Sequence, residues 1–83
     1  MTPESPSPDE IRAAREAAGL DQAQAAALIY HSARWWRMLE TPKDSERWRP
    51  MDPALWEYWQ LLVSDPRMQQ AREARLALAK GRK

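Results

Sequence analysis

The sequence predicts an all-α protein, a compact bundle of about five helices. Three observations predict it. Apolar residues recur at helical spacing, each such run opens on a capping residue or a proline, and nowhere do apolar and polar residues alternate with the period of a strand. The chain has 83 residues, enough for one domain that buries only about 60 to 65 percent of the surface its unfolded form exposes. It has no cysteine, so neither disulfides nor thiolate-bound zinc can supplement the core, and the composition suits a reducing compartment. Five tryptophans and two tyrosines stand in their place as sources of large buried apolar area.

Residues 1–6 are rich in proline and serine and are expected to form a disordered tail. Ser7-Pro8-Asp9-Glu10 then starts the first helix, with Ser7 as cap, Pro8 in the first turn and Glu10 closing a capping box. Ile11, Ala14 and Ala18 share its apolar face, and Gly19 supplies a left-handed stop near Ala18. Asp21 and Gln24 repeat the capping box for a short second helix running to Ile29, whose alanines permit close crossing. Tyr30-His31 interrupts, and Ser32 caps a third helix from Ala33 to Glu40 that Thr41-Pro42 ends. A charged, proline-bounded loop over residues 41–51 carries Lys43, Arg47, Trp48 and Arg49. Asp52-Pro53 starts a fourth helix with Leu55, Trp59 and Leu62 on one face, widened by Trp56 and Val63. Ser64-Asp65-Pro66 stops and restarts the chain, and a fifth helix, roughly Pro66 to Ala79, has a thin stripe of Met68, Ala71, Ala74 and Leu78 among arginines. Residues 7–63 are thus read as the main domain, and 64–83 as a basic C-terminal helix and tail.

The net charge of +1 hides an uneven distribution: residues 1–31 carry −3, 32–50 carry +2, 51–63 carry −2 and 64–83 carry +4. No apolar run approaches the length of a membrane span, and the N-terminus has no apolar core of a signal peptide. Neither membrane insertion nor secretion is expected, and the cytoplasm of a bacterial host is the expected location. His31 is the sole histidine and has no second ligand type beside it, and the paired acidic residues sit at helix starts. No phosphate loop, nucleophile elbow or zinc-protease motif occurs. The expectation is a protein that is not an enzyme, with no cofactor, no metal and no small-molecule substrate.

Two short helices separated by a few residues, the second bearing Arg34 and Arg37, have the layout of a helix-turn-helix. With Trp36 and Leu39 turned inward, Ala33, Arg34, Arg37 and Met38 fall on the outward arc. There the fork of an arginine can meet guanine O6 and N7, while Lys43, Arg47 and Arg49 of the loop are placed to meet phosphates.

Over residues 8–63 the chain resembles the Cro/C1 or XRE-like class of phage repressors. The matching residues are Ile11 through Leu20, Asp21 through Leu28 and Ser32 through Glu40. The resemblance implies a lambda repressor-like bundle in which Gln22 and Ser32 clamp the DNA backbone and Ala33, Arg34, Arg37 and Met38 face bases. It also implies a small residue at Ala26 and a third helix ending in Glu40. The run Met51-Asp52-Pro53-Ala54-Leu55-Trp56 is similar to that of compact regulators of phages and mobile elements, anti-CRISPR-associated autorepressors among them. Two positions depart from the class: Tyr30 replaces the glycine between the helices, and Leu39 stands where a second tryptophan is frequent. The first departure opposes the turn, because a bulky residue at positive φ is disfavoured.

The expected partner is a double-stranded DNA operator, an inverted repeat bound by a homodimer that represses transcription at a promoter such as its own. Trp36, Trp56 and Trp59 at helical spacing are read as core, while one of Trp35 and Trp48 is left to line DNA or a dimer interface. The fourth helix is apolar on an arc wider than one neighbour covers, so the two-fold contact is expected through Trp35, Trp56, Trp59 or Leu78. The C-terminal arginines are read first as a solvated face and second as phosphate contacts. The alternative from another class is a protein-binding module on the same fold, an inhibitor of a host protein or an antitoxin.

Overall fold

The computed structural model describes residues 5–80. Five α-helices follow one another: α1 (Pro8–Ala17), α2 (Gln22–Ala27), α3 (Ala33–Glu40), α4 (Pro53–Ser64) and α5 (Gln69–Lys80), the last preceded by a 3-10 turn, Pro66–Met68. Among the described residues there is no strand, and no helix is long and apolar enough to cross a membrane. Of the expected N-terminal tail, residues 1–4 lie outside the described residues, as do 81–83 of the basic tail, while Pro6 is buried against the bundle.

The helix starts form as local chemistry dictates. Ser7 Oγ accepts from the Glu10 amide at 3.1 Å and the Glu10 carboxylate accepts from the Ser7 amide at 3.3 Å. Asp21 and Gln24 make the same reciprocal pair at 2.7 and 2.9 Å. Ser32 caps α3 through the Trp35 amide, Asp52 caps α4 through that of Ala54, and Asp65 caps the 3-10 turn through that of Arg67. Each bond satisfies a donor that the helix itself leaves unpaired.

The ends of α1 and α2 close in one way. After α1 the Gly19 amide donates to Glu16 and the Leu20 amide to Arg15, with Gly19 at φ +73°. After α2 the Tyr30 amide donates to Ala27 and the His31 amide to Ala26, with Tyr30 at φ +60°. Both are the paired closure that places a left-handed residue just past a helix. Tyr30 therefore adopts the conformation its side chain disfavours. The same closure stops α2 at Ala27, two residues short of the expected Ile29.

The core joins Ile11 of α1, Ala25, Ala26 and Leu28 of the α2 segment, Ile29, Trp36 and Leu39 of α3, Met51, and Trp59 and Leu62 of α4. Trp36 and Trp59 approach at 5.3 Å between centroids, and Trp59 Nε1 donates to the Ala25 carbonyl at 3.0 Å, so this indole is both packed and satisfied. Trp59 is 0 % exposed, which corrects its assignment to a dimer surface: it is the centre of the core. Trp56 stacks on Trp59 at 5.3 Å and is half-buried.

α5 packs against both α2 and α4. Its inward arc differs from the expected stripe: Ala71, Arg72, Arg75, Leu76 and Ala79 are partly buried, while Ala74 and Leu78 face out. The reason is hydrogen bonding. Arg72 donates to the Leu62 carbonyl at 2.7 Å and Arg75 to the Leu28 carbonyl at 2.9 Å, so two arginines cover the ends of α4 and of the α2 segment.

Candidate functional site

α3 is held by a charge cluster at its C-terminal end. Glu40 is 4 % exposed and accepts from Arg15 through Nε at 2.6 Å and Nη2 at 3.0 Å, a side-on bidentate pair. Gln22 Nε2 reaches the same carboxylate at 3.3 Å, Trp36 Nε1 donates to it, and Arg12 Nε stands 3.5 Å away. Burial alone would raise the Glu40 pKa. Hydrogen bonds from Arg15, Trp36 and Gln22 outweigh it and hold the carboxyl below its ordinary value. Arg15 also donates to the Leu20 carbonyl, so one guanidinium ties the end of α1 to the entry of α2 and the end of α3. This cluster fixes how α3 sits across the other two helices.

The outward side of α3 carries the expected arc. Arg34 and Arg37 are exposed, while Ala33 and Met38 are half-buried beside them. The loop after α3 folds back onto it: the Arg49 amide donates to the Met38 carbonyl at 3.3 Å, and Thr41 Oγ1 donates to the Arg37 carbonyl at 2.7 Å. Arg34, Arg37 and Met38 thereby line one groove with Thr41, Glu46, Arg47 and Arg49. Among the described residues no carboxylate oxygen lies within 4.0 Å of any of these four arginines. Arg49 is oriented by its own loop, donating to the Glu46 and Trp48 carbonyls at 3.0 and 2.8 Å. No family model, curated protein or solved structure matches the chain.

The remaining sequence-predicted residues divide. Ser32 stands at the N-terminus of α3 with its oxygen on the Trp35 amide. Gln22 is half-buried with its amide on Glu40, so at most one of its two amide hydrogens is left for another acceptor. Lys43 lies apart from the groove, its Nζ 5.9 Å from the Trp48 ring, and lines a separate cleft with Asp9, Arg12 and Pro42. Trp35 is half-buried, stacked on His31 at 3.7 Å and edge-on to Trp36. Leu78 is 46 % exposed on α5.

Sequence reasoning missed Glu46 and Thr41 as groove residues and Arg12 and Arg15 as positioning residues. No local spacing signals a pair such as Arg15 and Glu40, which are 25 residues apart. Among the described residues no cluster of three or more histidine, aspartate or glutamate side chains could hold a metal.

Proposed function

We propose that the chain is a sequence-specific double-stranded DNA-binding repressor of the helix-turn-helix type, with α3 entering the major groove. The observation that carries this reading is the groove of four arginines on the outward side of α3 and its following loop, free of carboxylate partners. The exposed guanidinium forks of Arg34, Arg37 and Arg47 match phosphate oxygens and the acceptor edge of guanine, and Arg49 keeps donors free beside the two its loop carbonyls engage. At about 1.5 Å per residue, α3 is roughly 12 Å long, comparable to the width of the major groove. Arg34 and Arg37 on the helix are assigned to bases, and Arg47 and Arg49 on the loop to phosphates. One half-site of so small a module offers few contacts, so the operator is proposed to be an inverted repeat bound by a homodimer in a bacterial cytoplasm.

The test is titration of the full chain with duplex DNA at several salt concentrations. Each phosphate neutralised should contribute about −0.9 to the slope of log affinity against log salt. Replacing both Arg47 and Arg49 with alanine should flatten that slope by about 2 and weaken all duplexes alike. A slope near zero would favour a protein partner for the groove.

A further inference from the structure

We propose that the groove is selective for guanine, so that the operator half-site has a core of G·C pairs adjoining thymine methyls and is not read at adenine. This rests on the DNA-binding reading above and assigns the chemical class of the bases. The outward arc of α3 consists of Ala33, Arg34, Arg37 and Met38. It offers hydrogen-bond donors and apolar surface and, apart from the weakly accepting thioether of Met38, no side-chain acceptor, because arginine has none. In the major groove guanine presents two acceptors, N7 and O6, which one guanidinium fork fills. Adenine pairs one acceptor with an N6 donor, and cytosine presents an N4 donor, so either would set a donor against a guanidinium. The residues that read adenine are asparagine and glutamine, and the arc has neither. Gln22 lies on α2 rather than on this arc, and one of its amide hydrogens is engaged by Glu40 at 3.3 Å.

The arrangement of the arc adds to this. Arg34 and Met38 are four residues apart, as are Ala33 and Arg37, so each fork has an apolar neighbour one turn along the same helix face. That neighbour suits a thymine methyl next to the guanine. Arg34 and Arg37 are separated by about 4.5 Å of helix rise, which fits guanines one or two base-pair steps apart at about 3.4 Å per step. The one acidic residue of the groove, Glu46, lies on the loop rather than on the helix.

The full chain would be used to select duplexes from a random-sequence pool. The best binder would then be remade with 7-deazaguanine, which keeps pairing but lacks N7, and separately with uracil for thymine. Selection should converge on half-sites with guanines one or two steps apart. 7-Deazaguanine at those positions should weaken binding about 5- to 150-fold, and uracil at the adjoining thymine by a smaller factor. Arg34→Ala should lose the preference for guanine at its position while still binding random duplex, since no donor then remains to meet O6 and N7. Convergence on a core of A·T pairs, or full affinity for the 7-deazaguanine duplex, would overturn guanine selectivity and leave DNA binding standing. Failure to retain any duplex even at low salt would overturn the DNA-binding reading itself.

Discussion

Glu40 occupies a position that three effects oppose or support with different strengths. It is the last residue of α3, where the helix dipole disfavours negative charge, and it is buried, which disfavours it further. The bidentate bond from Arg15 and the bond from the Trp36 indole reverse the balance and keep it ionised. Removing one partner leaves the other as an uncompensated buried charge, so Glu40→Ala or Arg15→Ala should each cost about 3 to 5 kcal/mol in denaturant unfolding. For so small a domain that is most of its stability. The pH dependence follows from the sign of the shift. The folded-state pKa lies below the ordinary value of 4.5, so the stabilisation is complete above that value and is lost as pH falls through the folded pKa. The stability difference between the parent protein and Glu40→Gln should therefore be constant from about pH 7 to 5 and shrink below about pH 4. A difference that grows with acid would contradict the assignment. Trp36 joins this cluster to the core. Trp36→Ala removes a fully buried indole and a donor to Glu40, and should lower stability by about 3 to 5 kcal/mol.

The turn between α2 and α3 depends on an element far away in sequence. A left-handed tyrosine costs about 1 to 2 kcal/mol relative to a glycine there. The compensation comes from Arg75 of α5, whose Nε donates to the Tyr30 hydroxyl at 3.1 Å and whose guanidinium lies 4.8 Å from its ring. The same guanidinium bonds the Tyr58 hydroxyl and the Leu28 carbonyl, both at 2.9 Å. Arg75→Ala should thus destabilise by about 1 to 3 kcal/mol, by unpairing a helix-end carbonyl. Tyr30→Gly should be close to neutral, since relief of the backbone offsets loss of these contacts. Combined thermal melts of the two single variants and the double variant would read their coupling. This element also shows what the sequence can and cannot convey. The caps at Ser7, Asp21, Ser32 and Asp52 were legible because each bond spans two or three residues. The outward arc of α3 was legible because Trp36 and Leu39 fix the helix rotation. The face of α5 was not, because hydrophobicity alone favoured Ala74 and Leu78 over Arg72 and Arg75, whose partners are carbonyls 10 and 47 residues away. The position of Lys43 was not legible either, because the path of the loop, which brings its Nζ to 5.9 Å from the Trp48 ring, is not signalled by charge.

At the scale of the molecule, the surface differs from the core in what it leaves uncovered. With Trp59 enclosed, the large apolar side chains that remain exposed among the described residues are Tyr30, Tyr58, Leu61 and Leu78, at 67, 37, 50 and 46 %. If the proposed dimer forms over α4 and α5, Leu61→Glu together with Leu78→Glu should yield a monomer in light scattering at micromolar concentration. That monomer should prefer a two-half-site operator over a single half-site far less than the parent does. A parent protein that is already monomeric on the operator would rule the dimer out. The tryptophan stack gives the whole fold a further property. Trp56 and Trp59 lie nearly parallel, 6° between their planes, with Trp36 tilted against the second ring. Indoles locked at such distances in a chiral arrangement couple their electronic transitions. The native protein should therefore carry an intense near-ultraviolet dichroism signal that disappears when the packing loosens, even where helical far-ultraviolet dichroism persists. If the proposed DNA binding holds, a change of this signal on adding duplex would show binding being felt through the core.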